Sequence, residues 1–153
     1  MTPQGESVQL HFLAPDLASA ALARADCRAW LEDGLAYSDV GLAAEDVIAR
    51  LAGGEYRALL VRIEAHPAAL VVLEIAHAGN PSKKTLSVIA AGGERMHSWL
   101  GDVQRAMREI AAVQNCERVV VIGRPGWERA LRNFGWKKTG VVMEVAPKRY
   151  QDS

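Results

Sequence analysis

Between Ser7 and Leu13 (SVQLHFL) polar and apolar residues alternate, the period-two pattern of a short strand. The pattern changes at Pro15-Asp16, where a proline followed by an aspartate as N-cap predicts a helix start. From Leu17 the run LASAALARADCRAWLEDG is rich in good helix formers. Leu17, Ala20, Cys27 and Leu31 share roughly one face of that helix, Trp30 sits at its margin, and Leu22 falls off it. Gly34 reads as its stop. A second helix is predicted over Ala43–Ala52, with Val47, Ile48 and Leu51 on its apolar side and Gly53-Gly54 ending it.

Three strand-like runs follow: Arg57–Glu64, Ala68–His77 and Thr85–Ala90. They are joined through His66-Pro67 and the turn chemistry of Gly79-Asn80-Pro81-Ser82. Connections this short exclude crossovers, so the runs are expected to form an antiparallel meander. Ala91-Gly92-Gly93 then leads into a long helix over Glu94–Gln114. Its stripe is Met96, Leu100, Val103, Met107 and Ile110, with Trp99 beside it. Arg118–Ile122 (RVVVI) is continuously apolar, as a buried parallel strand would be. Gly123-Arg124-Pro125-Gly126 opens a short helix over Trp127–Asn133, Gly135 stops it, and Thr139–Val145 reads as a last strand. The order β-α-α-β-β-β-α-β-α-β describes one α+β (mixed α/β) domain with a mixed central sheet. It covers residues 1–146, and a polar tail, 147–153, follows.

At 153 residues the chain has the size of one ordinary domain. Half its residues are apolar and 24% are charged, which excludes wholesale disorder and a disulfide scaffold. Formal net charge is zero, but it is unevenly placed. Residues 1–77 hold eleven acidic residues and five arginines, leaving the remainder net +6, with the basic excess between Arg95 and Lys138. Such an asymmetry is either a set of solvated helix faces or a surface for phosphate or an acidic partner. No secretory pattern opens the chain, and the longest strongly apolar stretch, Pro67–Leu73, is too short to cross a bilayer. Cys27 and Cys116 are expected as free, buried thiols. The histidines 11, 66, 77 and 97 share no metal-ligand spacing, so no metal site is expected.

The element order, together with the segment Thr85–Trp136, resembles the GNAT (Gcn5-related N-acetyltransferase) fold. The best local match is Arg124–Trp136, where members of that family often carry Asn-x-x-Ala-x-x-Leu-Tyr-x-Lys-x-Gly-Phe. The ending Phe134-Gly135-Trp136 fits that pattern. The tyrosine, a general acid for the leaving thiolate in active members, is replaced by Leu131, and the asparagine by Arg124. The resemblance implies that acetyl-CoA, if it is a cofactor, meets Gly92, Gly93, Glu94 and Arg95. There bare backbone N–H groups and a helix N-terminus would receive a pyrophosphate. The family's Arg/Gln-x-x-Gly-x-Gly/Ala loop is only partly kept: Gly92, Arg95 and His97 take its three motif positions, and Met96, His97 and Trp99 add bulk. The alternative for Gly92-Gly93 is a plain strand-to-helix turn. The phrase GRPGWERAL also resembles GNAT-like small proteins encoded among tailed-bacteriophage head and virion genes. That resemblance implies phage structural proteins as partners, and a place in the host cytoplasm or the virion.

No catalytic residue is assigned. His97 could act as a base near neutral pH or be an ordinary helix-start residue. Cys116 is expected to be buried and unreactive. Glu74 and His77 should point to opposite sheet faces. Glu64 and Glu74 could be cross-strand neighbours, and His11 should face away from the core. Arg124, Trp127, Arg129 and Arg132 form a candidate partner-binding patch, since Trp and Arg favour interface centres. Trp127 could equally cover the core. Two readings stand: a GNAT-fold accessory or virion protein with acetyl transfer lost or marginal, and an acetyl-CoA-dependent N-acyltransferase with a non-standard loop. A nucleic-acid-binding role for the basic half lacks the aromatic stripes that stacking platforms need.

Overall fold

The computed structural model describes residues 7–36, 41–77, 83–122, 125–140, 143 and 145–148. The elements are β1 (Val8–Leu13), α1 (Pro15–Leu22), α2 (Ala25–Ala36), α3 (Ala44–Ala52), β2 (Arg57–Ile63), β3 (His66–His77), β4 (Lys84–Gly93), α4 (Met96–Val113), β5 (Cys116–Val121) and α5 (Pro125–Arg132). One five-stranded sheet runs in the order β1-β2-β3-β4-β5. The first four strands pair antiparallel, and β5 joins β4 in parallel through the α4 crossover. The fold is therefore the mixed α/β domain expected, with the β2–β4 meander at its centre.

Strand alternation separates two cores. Leu59, Val61, Val71, Leu73, Leu86 and Val88 meet α4 through Trp99, Leu100, Val103 and Met107. Ala58, Leu60, Leu70, Val72, Ile89 and Ala90 meet α1–α3 through Leu22, Cys27, Leu31, Val47 and Leu51. Sheet residues two apart share a face, so each strand feeds both cores at once.

Several local expectations are corrected. The first predicted helix is two helices. Ala18 and Leu22 are buried in α1, and Cys27 and Leu31 in α2. The step from 22 to 27 overshoots a helical repeat, and the break absorbs the slip. Asp26 restarts the chain: its carboxylate accepts the Cys27 N–H at 2.7 Å and the Arg24 guanidinium at 3.1–3.2 Å. The N-cap of α1 is Ala14 with Pro15 following; Asp16 lies in the first turn. Gly34 does not stop α2 but is buried inside it, where a Cβ would lie 2.8 Å from the backbone of Ala91.

The β2–β3 connection is the two-residue turn Glu64-Ala65, both residues left-handed at φ 52° and 67°. A turn of this hand matches the twist of its strands. Glu64 and Glu74 therefore lie far apart along the hairpin, not across from each other. Trp99 sits inside the α4 stripe, 2% exposed, while Met96 and Ile110 are half-buried. β5 is the outermost strand among the described residues, so it is half-buried or exposed along its length, including Cys116. In the predicted last strand, residues 139, 140, 143 and 145 are not in a strand, and Met143 and Val145 are exposed.

Candidate functional site

β4 and β5 part company midway along the sheet. They pair from Lys84 opposite Cys116 to Val88 opposite Val121. Beyond Val88, β4 runs on through Gly93 with no β5 partner among the described residues, while its other edge stays paired to β3. A bulge lies at the point where this pairing stops. Leu73 faces Val88 and Val72 faces Ala90, leaving Ile89 as the extra residue. A bulge bends its strand and increases the local twist, and β5 itself ends at Val121, so the outer half of β4 has no parallel neighbour among the described residues. The result is a notch at the carboxyl ends of two parallel strands, a place where open sheets of this kind commonly bind ligands.

α4 begins at the head of the notch. Its N-cap, Arg95, is left-handed (φ 59°, ψ 44°), makes no side-chain cap, and is followed by no acidic residue in the first turn. A helix leaves its first N–H groups without intrahelical acceptors. Here the Ser98 N–H turns back to the Arg95 carbonyl at 2.9 Å. The Met96 and His97 N–H groups have no acceptor among the described residues, and the Arg95 side chain beside them is exposed. The preceding turn is pinned from both sides. The Glu94 N–H donates to the Ala68 carbonyl at 2.7 Å, and the Trp99 indole N–H donates to the Glu94 carbonyl at 2.8 Å. These bonds hold Arg95 in a conformation that non-glycine residues rarely adopt.

Of the four residues expected to meet a cofactor, Glu94 and Arg95 form this turn. Gly92 and Gly93 belong to β4 itself, and both lie where a side chain would meet neighbouring backbone. A Cβ on Gly92 would lie 2.2 Å from the Trp30 carbonyl oxygen of α2, and one on Gly93 within 2.6 Å of Ala68 and Ala69. α2 thus lies directly on the back of the notch, through Gly34 over Ala91 and Trp30 over Gly92.

The partner patch is only partly assembled. Arg124 lies outside the described residues. Trp127 is half-buried against the α4-side core, the covering role considered above. Arg132 is engaged with Glu128 at 2.8 Å, and Arg129 is exposed. Leu131 is 4% exposed within the same core, so no proton donor stands there. Behind α5, the Trp136 indole N–H donates to buried Gln104, whose amide N–H reaches the Gly101 carbonyl at 3.2 Å. Gln104 went unremarked in the sequence because its position on the buried face of α4 looks like an ordinary apolar slot.

The other titratable groups are dispersed. His97 is exposed in the first turn of α4, and Glu74 and His77 occupy opposite faces of β3, as their spacing requires. The Cys27 thiol is pushed up to about 11 by burial and by neighbouring Asp26, which leaves it protonated and unreactive. Neither cysteine forms a disulfide. Among the described residues no cluster of His, Cys, Asp or Glu is placed to hold a metal ion, and no helix is long and apolar enough to cross a membrane.

No protein-family model matches the sequence. No curated protein sequence matches it either. Solved structures do match in shape. An aminoglycoside N-acetyltransferase, AAC(6')-Iy, in complex with CoA superposes with a TM-score of 0.65 at 9% identity, covering 97% of this chain and 100% of that one. A GCN5-related N-acetyltransferase from Ralstonia eutropha JMP134 gives 0.64 at 14% identity, over 92% and 99% of the two chains. A ribosomal-protein-alanine N-acetyltransferase from Brucella melitensis biovar Abortus 2308 gives 0.59 at 12% identity, over 94% and 99%. The fold is that of the GCN5-related N-acetyltransferases.

Proposed function

We propose that this protein binds a CoA thioester in the β4–β5 notch and transfers its acetyl group slowly to an amine. The observation that carries the reading is the coincidence of a β4 edge without a β5 partner among the described residues with a start of α4 that has no side-chain cap and no acidic residue. Backbone N–H groups at a helix start favour phosphate oxygens, and an adjacent guanidinium adds a charged partner. Met96 and His97 N–H with Arg95 would hold the pyrophosphate, and the edge of Ala90–Gly93 away from β3, without a partner among the described residues, suits an extended, amide-bearing chain. The bound group would supply an activated acyl carbon. The protein contributes orientation; the buried Leu131 contributes no proton, so a departing thiolate depends on solvent for one. Slow turnover follows from that substitution.

Leu131 favours a second reading: a GNAT-fold protein that keeps the cofactor site without transfer and serves as an accessory, with a virion-structural partner proposed from the GRPGWERAL phrase alone. A titration separates the two. Ligand at a hundred times its dissociation constant should add about 2.7 kcal/mol, several degrees in a domain of this size. A shift with CoA that Arg95→Gln reduces, with free thiol released from acetyl-CoA in the presence of an amine, supports transfer. The same shift without thiol release supports the accessory reading. No shift with either CoA or acetyl-CoA overturns both.

A further inference from the structure

The opposite end of α4 holds a second concavity. A cavity of about 420 Å³ opens between the last turns of α4 and the sheet, far along the helix from the notch. This volume falls in the roughly 300–1,000 Å³ range of small-molecule sites. Its floor includes Leu73 and Leu86, 2% and 0% exposed, with Ile75 beside them. Its rim carries Phe12 and Val113, which are 47% and 78% exposed. Leu73 and Leu86 close the floor with almost no exposed surface of their own, so the apolar surface that a ligand would remove from water is that of Phe12, Val113 and the half-buried Ile75.

The polar lining decides what kind of ligand. Arg57, the first residue of β2, and Glu109, near the end of α4, both line the cavity. Among the described residues their side chains pair neither with each other nor with any other group. The last turn of α4 carries no basic residue, so its carbonyl end adds to the negative pole that Glu109 makes. Arg57 is the positive pole, a planar fork suited to a carboxylate. Two opposite charges that leave each other unneutralised above an apolar floor complement a molecule carrying both charges and an apolar body.

We propose that this cavity binds an apolar amino acid, with its carboxylate at Arg57, its ammonium at Glu109 and the α4 carbonyl end, and its side chain against Phe12, Ile75 and Val113. The site stands apart from the notch and does not depend on the CoA reading.

Calorimetric titration of the full chain tests it with three probes of one shape: L-phenylalanine, 3-phenylpropionate without the ammonium, and phenethylamine without the carboxylate. The amino acid should bind best, and either one-charge analogue about tenfold more weakly, the scale of a lost charge-assisted hydrogen bond. Arg57→Gln should erase the advantage over phenethylamine, and Glu109→Gln the advantage over 3-phenylpropionate. Val113→Trp, at an exposed rim position, should weaken all three by closing the mouth. Saturating CoA should leave binding unchanged. Equal binding of the three probes, no binding of phenylalanine or leucine, indifference to both charge variants, or displacement by CoA would each overturn the proposal.

Discussion

Gly92 shows how much one missing side chain can decide. The Trp30 carbonyl of α2 occupies the space where its Cβ would stand. An alanine must therefore push a helix off a strand, since both neighbours are backbone and neither can rotate away. Gly92→Ala should cost about 2–3 kcal/mol or more, at the upper end of overpacking in cores. Gly126 is the control. Nothing lies within 4 Å of its would-be Cβ, and it sits in α5. Gly126→Ala should be neutral or stabilise by up to about 1 kcal/mol, because alanine loses less entropy in a helix. Urea denaturation of the two variants beside the parent checks both. The glycine pair was visible in the sequence as an anomaly, but not its purpose. A phosphate loop and a close helix crossing both call for a residue without a side chain, and the crossing at Trp30 is visible only in the fold.

Asp26 does comparable service for a helix pair. Its carboxyl is held below the ordinary aspartate value, first by the hydrogen bond from Arg24 and also by the Cys27 N–H. A depressed folded-state value means the stabilisation is complete above the unfolded value, about 3.9, and is lost as the pH falls through the lowered one. Asp26→Asn should therefore melt lower than the parent at pH 7, and the two melting curves should converge as the pH falls through the lowered folded-state value. The effect is small, since the pair is largely exposed. Melting temperatures across the acid range read it directly. The α1–α2 break was foreshadowed by Leu22, which sits off the stripe of its supposed helix. A residue out of phase marks a change of axis more reliably than a glycine marks an end, as Gly34 demonstrates.

Across the molecule, the legible features were those set by periodicity and by short connections. The meander, the α4 crossover and the parallel β5 follow from alternation and loop length alone. Lost to that reading were features set by contact between distant segments. The Ile89 bulge arises where β3 and β4 fall out of register, and nothing in TLSVIA announces it beyond a failure of strict alternation. β5 looked buried because three valines in a row resemble a central strand, yet it has only one paired edge among the described residues. The notch depends on both: a bulge that bends β4 and a neighbour that ends at Val121. Of the residues expected there, Arg95 and the start of α4 were visible in the sequence as a turn before an amphipathic run. The zwitterionic cavity left no sequence signal, since Arg57 and Glu109 lie on elements that only the folded sheet brings together.

The placement of β1 has a kinetic consequence. β2, β3 and β4 are consecutive, whereas β1 reaches β2 only after α1, α2 and α3, with Leu13 meeting Ala58. Pairings between nearby segments close with little entropic cost, and distant ones form late. Among the described residues β1 is also a sheet margin, paired with one strand. Amide hydrogens in β1 should therefore exchange with solvent deuterium well before those of β3, through partial openings that leave the meander intact. Equal protection of β1 and β3 would mean instead that the N-terminal strand opens only when the whole domain does. The mouth of the Phe12 cavity would then be as permanent as the core.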